Sequence, residues 1–270
     1  MVLHRLVAAF GFVVVVLLSA APATAAPARA VDVGGQVAVP ARYTAADLVG
    51  ASLHDVVVRA APIVPPGKNA ILRALVRVEG RHGGSATFAL AELDPAFGNH
   101  LATFVPSRSG MRLAVPGDRV PGRGVADVTA IHVSVPAVGP DQVSPGSIRV
   151  VSGHRSVLVS ASRLAWLPAR TVRVTFQSGA GPQTHTETGP PLAAVLLAAG
   201  VLPRADLPVV AVGEDGYGAA VTLAEDYVGG RPLLMSTVED GAALTRPRLI
   251  PAGDVKGGRY VSGVVTLAVG

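Results

Sequence analysis

The sequence predicts an α+β fold that is predominantly β, built from two tandem copies of one small domain, the first of them truncated. Three observations support this prediction. Residues repeat along the chain at a nearly constant offset, most apolar segments are short, β-branched and bounded by Gly or Pro, and one segment has helical spacing. The 270 residues leave room for two domains of ordinary size. Half of them are hydrophobic, which is enough to form two apolar cores.

The repeat is visible at two closely similar offsets. The matched segments are Leu90-Ala91-Glu92 with Leu223-Ala224-Glu225, Gly117-Asp118 with Gly253-Asp254, and Gly122-Arg123 with Gly258-Arg259. Their order is kept, and the small change in offset requires only short loop insertions, so the pattern indicates a duplicated domain. The first copy is predicted over residues 31–136 and the second over 147–270, with a Pro-containing linker at 137–146.

The second copy is predicted to be the more complete one. Its predicted strands are Ser147–Val151, Ser156–Ser160, Thr171–Phe176, Val209–Val212, Ala219–Leu223, Leu233–Thr237, Arg248–Ile250 and Tyr260–Ala268. A helix is predicted from Pro191 to a C-terminal cap at Gly200. The interval from Val58 to Val78 is shorter than the matching one in the second copy. We therefore expect the first copy to lack a hairpin and most of this helix.

The N-terminal residues have the three-part pattern of a secretory signal peptide. Arg5 precedes the apolar stretch Leu6–Leu18, and Ala23-Thr24-Ala25 is an A-x-A cleavage site. Residues 1–25 are therefore predicted to be removed, which leaves a mature chain without a transmembrane segment that is secreted or held in the cell envelope. Because His4 precedes Arg5, there is no twin-arginine pair, and the general secretion route is expected.

Composition and motifs exclude several classes of function. The chain has no Cys, so disulfides, thiolate metal sites and thiol nucleophiles are excluded. The net charge is +5, but the basic residues form no run, and no nucleic-acid binding is expected. No metal-binding His spacing, nucleophile elbow or Walker loop is present, and no catalytic or metal-ligating residue is predicted. The polar segments Glu214-Asp215, Glu225-Asp226 and His185-Thr186-Glu187 are interpreted as turns.

One order of segments in the second copy points to a known family. The segments are Thr188-Gly189-Pro190-Pro191-Leu192 with the following helix, Gly213-Glu214-Asp215-Gly216-Tyr217, Leu223-Ala224-Glu225, Asp240-Gly241, Arg246-Pro247-Arg248-Leu249 and Gly258-Arg259-Tyr260-Val261. This order resembles the oxidoreductase molybdopterin-binding domain of the sulfite oxidase family. In the first copy, residues 91–99 look like a variant of the same domain found in small secreted members.

The resemblance implies a fold, a chemistry and a pocket. The family's full enzymes bind molybdenum through a dithiolene cofactor and a protein Cys, and act on small oxyanions or sulfoxides. The Cys would follow the strand Thr171–Phe176, where this chain has Gln177-Ser178. The expected pocket for a small anionic ligand is lined by Gln177, Ser178, Tyr217, Arg246, Arg248 and Arg259. The repeated arginines have a second interpretation, as structural ion pairs with the repeated Asp118 or Asp254.

These observations favour a secreted, non-catalytic binding or interaction module with no cofactor, whose partner is a small anionic ligand or an envelope protein. The missing Cys, the short cofactor-binding region and the absent twin-arginine signal argue against catalysis. One alternative is a molybdopterin-dependent oxidoreductase with a non-Cys ligand, such as Ser178, or with a partner subunit. Another alternative is a structural cell-envelope protein.

Overall fold

Strands dominate the computed structural model, which describes residues 30–108 and 110–270. The predicted signal peptide lies outside the described residues. In the first copy the strands are β1 Ala30–Gly35, β2 Ala41–Thr44, β3 Leu75–Gly80, β4 Ser85–Ala89, β5 Thr103–Ser107, β6 Gly110–Ala114 and β7 Val128–Ser134. In the second copy they are β8 Ile148–Ser152, β9 Arg155–Val159, β10 Arg170–Ser178, β11 Gly181–Gly189, β12 Pro208–Gly213, β13 Gly218–Thr222, β14 Leu233–Glu239, β15 Ala242–Pro251 and β16 Val264–Val269.

The helices are short and lie between the strands. They are α1 Ala45–Leu48, α2 Leu53–Arg59, α3 Leu90–Leu93, α4 Ala161–Trp166, α5 Leu192–Ala198 and α6 Ala224–Tyr227, with 3-10 turns at Ala70–Arg73 and Gly257–Arg259. Within the described residues, none of the helices has both the length and the apolar character that crossing a membrane requires.

Two five-stranded sheets have the same strand order. The N-sheet runs β2-β1-β7-β3-β4 and the C-sheet runs β9-β8-β16-β12-β13. In each sheet the first strand of the copy pairs in parallel with the last, and the other pairs are antiparallel. The repeat seen in the sequence is therefore also a repeat of topology. Each copy buries its own cluster of Val, Leu and Ala side chains.

The copies differ in a hairpin. In the second copy β10 and β11 form a hairpin that extends the β14-β15 pair into a four-stranded sheet, whereas β5 and β6 of the first copy form a two-stranded sheet. The expected loss of a helix from the first copy is wrong. Helix α2 is as long as α5, and the residue before each helix forms an equivalent bridge, Ser52 to Thr103 and Pro191 to Leu234. The expected loss was based on the length of the interval that starts at Val58. Because Val58 already lies inside α2, that interval left out most of this helix.

Most second-copy strands lie where the sequence predicted them, but three local predictions are wrong. His185-Thr186-Glu187 lies in strand β11 and not in a turn, because the polar strand pairs along its whole length with β10. The last strand starts at Val264 and not at Tyr260, because Val261 forms only an isolated bridge to Leu249 and Gly263 has a left-handed φ of +63°. Glu225 lies in helix α6 and is fully buried.

The two copies pack tightly against each other. Leu72, in the 3-10 turn of the first copy, is buried among core residues of the second. Leu75 and Ala89 of the N-sheet form a small apolar cluster with Val210 and Val212 of the C-sheet. This packing fixes the relative position of the two copies, because buried side chains interdigitate at a density that leaves few voids.

The segment between the copies is held on the surface of both. The carbonyl of Val138 accepts a hydrogen bond from Arg73 Nη1 at 2.8 Å. The backbone N–H of Asp141 donates to Thr266 Oγ1 at 2.9 Å, and the Asp141 carboxylate lies 3.0 Å from Arg149 Nε. The predicted linker thus bonds to the first copy at one end and to the second copy at the other.

Candidate functional site

A cavity of about 520 Å³ lies between the two copies. The first copy contributes Lys68, Asn69 and Phe97, and the second contributes Phe176, Gln177, Ser178, Gly179, Tyr217, Lys256, Gly257 and Gly258. Lys68 and Lys256 are the only lysines of the whole chain. None of the lining residues carries a carboxylate. The cavity is therefore a positively charged depression with aromatic walls.

Lys68 is positioned by the turn that follows it. Asn69 adopts a left-handed conformation with φ +54° and begins the 3-10 turn Ala70–Arg73. Buried Leu72 anchors that turn in the core of the second copy, and Arg73 donates to the carbonyl oxygen of Gly216. These contacts bring Lys68 of the first copy to a wall built by the second.

Lys256 is positioned by strand β10. Its backbone pairs with Gln177 in a short parallel bridge, and Gln177 N–H donates to the Val255 carbonyl at 2.8 Å. The N–H of Val255 in turn donates to the carbonyl of Phe97, in the first copy, at 2.7 Å. Both lysines thus border the cavity on segments that are hydrogen-bonded to the opposite copy.

Two glycines let aromatic rings approach the backbone beside Lys256. A Cβ at Gly257 would lie 2.7 Å from the Phe176 ring, and one at Gly258 would lie 2.3 Å from the Phe97 ring. Both distances are shorter than any normal carbon contact, so a larger residue would push the rings away. The Gly-Gly pair therefore sets the depth of this side of the cavity.

Tyr217 links the two sides of the cavity. Its hydroxyl donates to the Gly258 carbonyl at 2.5 Å and accepts from Asn69 Nδ2 at 3.4 Å. Its backbone N–H donates to Asp215 Oδ1 at 2.9 Å. Burial raises the pKa of the phenol, so the group stays protonated and neutral near pH 7.

Ser178 lines the cavity, but its hydroxyl is engaged in the β10–β11 turn. Oγ donates to the Gly181 carbonyl at 3.0 Å and accepts from the Ala180 N–H at 3.1 Å. Binding a metal would require the loss of these bonds as well as deprotonation. With no Cys in the chain, the donor set beside β10 does not fit the molybdenum centre that the resemblance implies. Among the described residues, no group of three or more His, Asp or Glu is placed to hold a metal ion.

Arg246 and Arg248 border a different cavity, of about 440 Å³. Arg246 Nε lies 2.6 Å from Glu214 Oε2. Arg248 Nη1 lies 2.5 Å from Glu239 Oε1 and 3.4 Å from Glu187 Oε1. Both guanidinium groups are already neutralised by carboxylates of the same chain. The structure thus separates these two arginines from Gln177, Ser178 and Tyr217.

Arg259 reaches neither cavity, because its side chain is completely buried. It donates to Asp254 through Nε at 2.8 Å and Nη2 at 2.6 Å, and to Glu225 through Nη1 at 3.0 Å. The equivalent Arg123 donates to Glu92 at 2.6 Å and to Asp118. The structural ion pairs offered as the second interpretation of the repeated arginines are present in both copies.

These two sets of ion pairs, one in each copy, are close enough for Glu92 and Glu225 to interact electrostatically, and they are called the buried network below. The network also includes Arg231, 2.8 Å from Asp254, and His100, 2.9 Å from Asp118. Burial, followed by the nearby charge of Glu225, raises the pKa of Glu92 to about 8. Glu92 Oε2 has no hydrogen-bond partner among the described residues. A proton on Glu92 removes one of two nearby negative charges, since Glu225 is the charged group that raises its pKa.

Part of the site could therefore be predicted from the sequence. Of the predicted pocket residues, the structure brings Gln177, Ser178 and Tyr217 together in one cavity. The prediction from the sequence did not include Lys68, Asn69 and Lys256, which also line this cavity. The rarity of lysine was a usable signal, because two isolated lysines in a chain that otherwise uses Arg are unusual positions.

No family model matches the sequence, and no curated protein matches it. Among solved structures, the chain is similar to the sulfane dehydrogenase SoxCD from Paracoccus pantotrophus, with 16% sequence identity and a TM-score of 0.40. The match covers 62% of this chain and 50% of that chain, so this chain spans about half the length of that structure. The similarity is distant.

Proposed function

We propose that this chain is an exported, non-catalytic binding module that holds a small anionic ligand in the cavity between its two copies. One observation carries the proposal: the only two lysines of the chain both line that cavity, and no lining residue offers a carboxylate to neutralise them. Both lysines are exposed, and like charges that border one cleft raise the local concentration of anions there.

The neighbouring polar groups suit a bound anion. Gln177 and Asn69 have amide N–H donors, and the neutral Tyr217 adds no negative charge. The cavity bordered by Arg246 and Arg248 is the weaker candidate. Carboxylates of Glu214, Glu187 and Glu239 already pair with these arginines. A ligand there would have to displace a carboxylate of the protein, which reduces the net gain.

The domain organisation and location are part of the proposal. Residues 1–25 act as a signal for the general secretion route, and residues 31–136 and 147–270 are two degenerate copies of a molybdopterin-binding-like domain. Intact mass and N-terminal sequencing of the secreted protein test the export step, with Ala26 expected as the first residue. A chain retained in the cell at full length would contradict it.

The binding function is tested by thermal unfolding of the purified protein with a panel of small anions at constant ionic strength. A specific ligand at about 100 times its Kd adds about 2.7 kcal/mol of stability and raises Tm. The rise should disappear in the Lys68→Gln/Lys256→Gln variant. It should persist in Arg81→Gln/Arg173→Gln, which loses the same charge from exposed residues outside the cavity, one in each copy. Equal responses of the two variants would overturn the proposal.

The same preparation tests the alternative enzyme. Molybdenum and pterin content of the secreted protein should both be far below one per chain. Stoichiometric molybdenum with pterin would replace the binding proposal with a molybdopterin-dependent oxidoreductase.

A further inference from the structure

We infer that the occupant of this cavity carries two anionic groups joined by an apolar spacer, with one group bound by Lys68 and the other by Lys256. The inference rests on the proposed function and specifies its ligand class. The chemistry that meets these requirements is a dicarboxylate with an aromatic or aliphatic spacer.

The charges of the cavity argue for two anionic groups. Each copy supplies one ammonium group, and in the part of the chain that the structure describes neither lysine lies within 4.0 Å of a carboxylate. A monoanion leaves one of these charges unbalanced. A dianion balances both, so charge complementarity favours it.

The size and walls of the cavity argue for a spacer. Its volume of about 520 Å³ is in the range of pockets for organic ligands, whereas a water molecule occupies only about 30 Å³. A single inorganic ion would leave most of the space to solvent. The rings of Phe97, Phe176 and Tyr217 line the same space, and aromatic walls favour a flat or apolar spacer.

Such a ligand would also couple the two copies. Lys68 belongs to the first copy and Lys256 to the second, so a molecule bound to both adds a contact across the interface. Binding should therefore stabilise the assembled pair of copies by RT ln(1 + [L]/Kd), where [L] is the free ligand concentration.

The lysine content makes the test direct. Protein labelled with 13C at lysine Cε gives two side-chain signals, both from this cavity, which Lys68→Gln and Lys256→Gln assign. The probes are succinate, glutarate, adipate and the three benzene dicarboxylates, each compared with its monocarboxylate at constant ionic strength. At least one dicarboxylate should move both signals along a single 1:1 isotherm, on the order of fivefold more tightly than its monocarboxylate.

The single variants supply the decisive comparison. In either one, the affinity for that dicarboxylate should fall to the level of the monocarboxylate, while Arg173→Gln should leave it unchanged. If monocarboxylates bind as tightly as every dicarboxylate, the inference is wrong and the proposed anion site stands. If no acid of either type moves either signal while another anion still raises Tm, the inference is wrong and the proposed function stands; if no anion has an effect, both fail.

Discussion

Arg123 and Arg259 occupy equivalent positions in the two copies, and each guanidinium group is buried against the aspartate five residues before it. Arg123 pairs with Asp118 and Arg259 with Asp254, and each also bonds to the glutamate of its own short helix, α3 or α6. The duplication has therefore preserved an ion-pair arrangement together with the sheet topology. Burying charges is costly unless they are paired, so each member of the network depends on the others.

Replacement of Arg259 by Met should strongly destabilise the protein. The change leaves Asp254 and Glu225 buried without their shared partner, which costs about 3–5 kcal/mol in comparable networks. Chemical denaturation measures the loss. Arg204→Met is the matched control, because Arg204 forms an ion pair with Asp206 in which both side chains are more than half exposed. Similar losses in the two variants would contradict the structural role of the buried arginine.

The stability of the protein should depend on pH through Glu92. Its pKa in the folded protein is about 8, above its ordinary value of 4.5, so the folded state binds the proton more tightly than the unfolded state does. The stability that the Glu92 proton contributes is complete below about pH 4.5 and is lost as the pH rises through 8. The slope for one proton is about 1.4 kcal/mol per pH unit between these limits.

The Glu92→Gln variant isolates this contribution. The amide oxygen can still accept the hydrogen bond from Arg123, but the side chain no longer titrates. Urea denaturation at pH 5 and pH 8 should show a smaller difference in unfolding free energy than in the wild type. If the difference in unfolding free energy between pH 5 and pH 8 were the same in the variant and the wild type, Glu92 would not bind a proton in this pH range. The Glu79→Gln variant is the control, because Glu79 is partly exposed and its pKa is lowered, mainly by a hydrogen bond from Arg77.

The Gly258→Ala variant should be destabilised by overpacking. Its Cβ would lie 2.3 Å from the Phe97 ring, so the ring or the backbone has to move, at a cost of about 1–3 kcal/mol. Adding Phe97→Leu should recover part of the loss, which a double-mutant cycle measures. Gly84→Ala is the control, because no atom lies within 4 Å of its Cβ position. Additive effects of Gly258→Ala and Phe97→Leu would contradict the contact.

The repeat and most strands of the second copy could be predicted because their signals are local. The strands are β-branched and bounded by Gly or Pro, and the repeated Asp and Arg could be matched by offset alone. Strand β11 could not be predicted, because Gln183-Thr184-His185-Thr186-Glu187 is polar throughout. It forms by pairing with β10, where Thr175 Oγ1 and Thr184 Oγ1 lie 3.0 Å apart.

The site was harder to predict than the fold, because it lies between the copies. Gln177 and Tyr217 belong to the second copy, and the order of its segments pointed to them. Lys68 reaches the same cavity only because Leu72 is buried in the core of the opposite copy. Packing between distant segments leaves no local pattern in a sequence. Arg248 was predicted in the wrong cavity for the same reason. Its partners Glu187 and Glu239 lie on other strands of its sheet, and the sequence does not show this pairing.

The most direct test of the anion site between the copies is isothermal titration of wild-type protein, Lys68→Gln/Lys256→Gln and Arg81→Gln/Arg173→Gln with the anion that most raises Tm, at constant ionic strength. We expect saturable 1:1 binding to the wild type and the arginine variant. The affinity of the lysine variant should be about tenfold weaker, since each ion pair with an exposed lysine contributes up to about 1 kcal/mol and two are lost. Undiminished binding to the lysine variant would contradict the anion site.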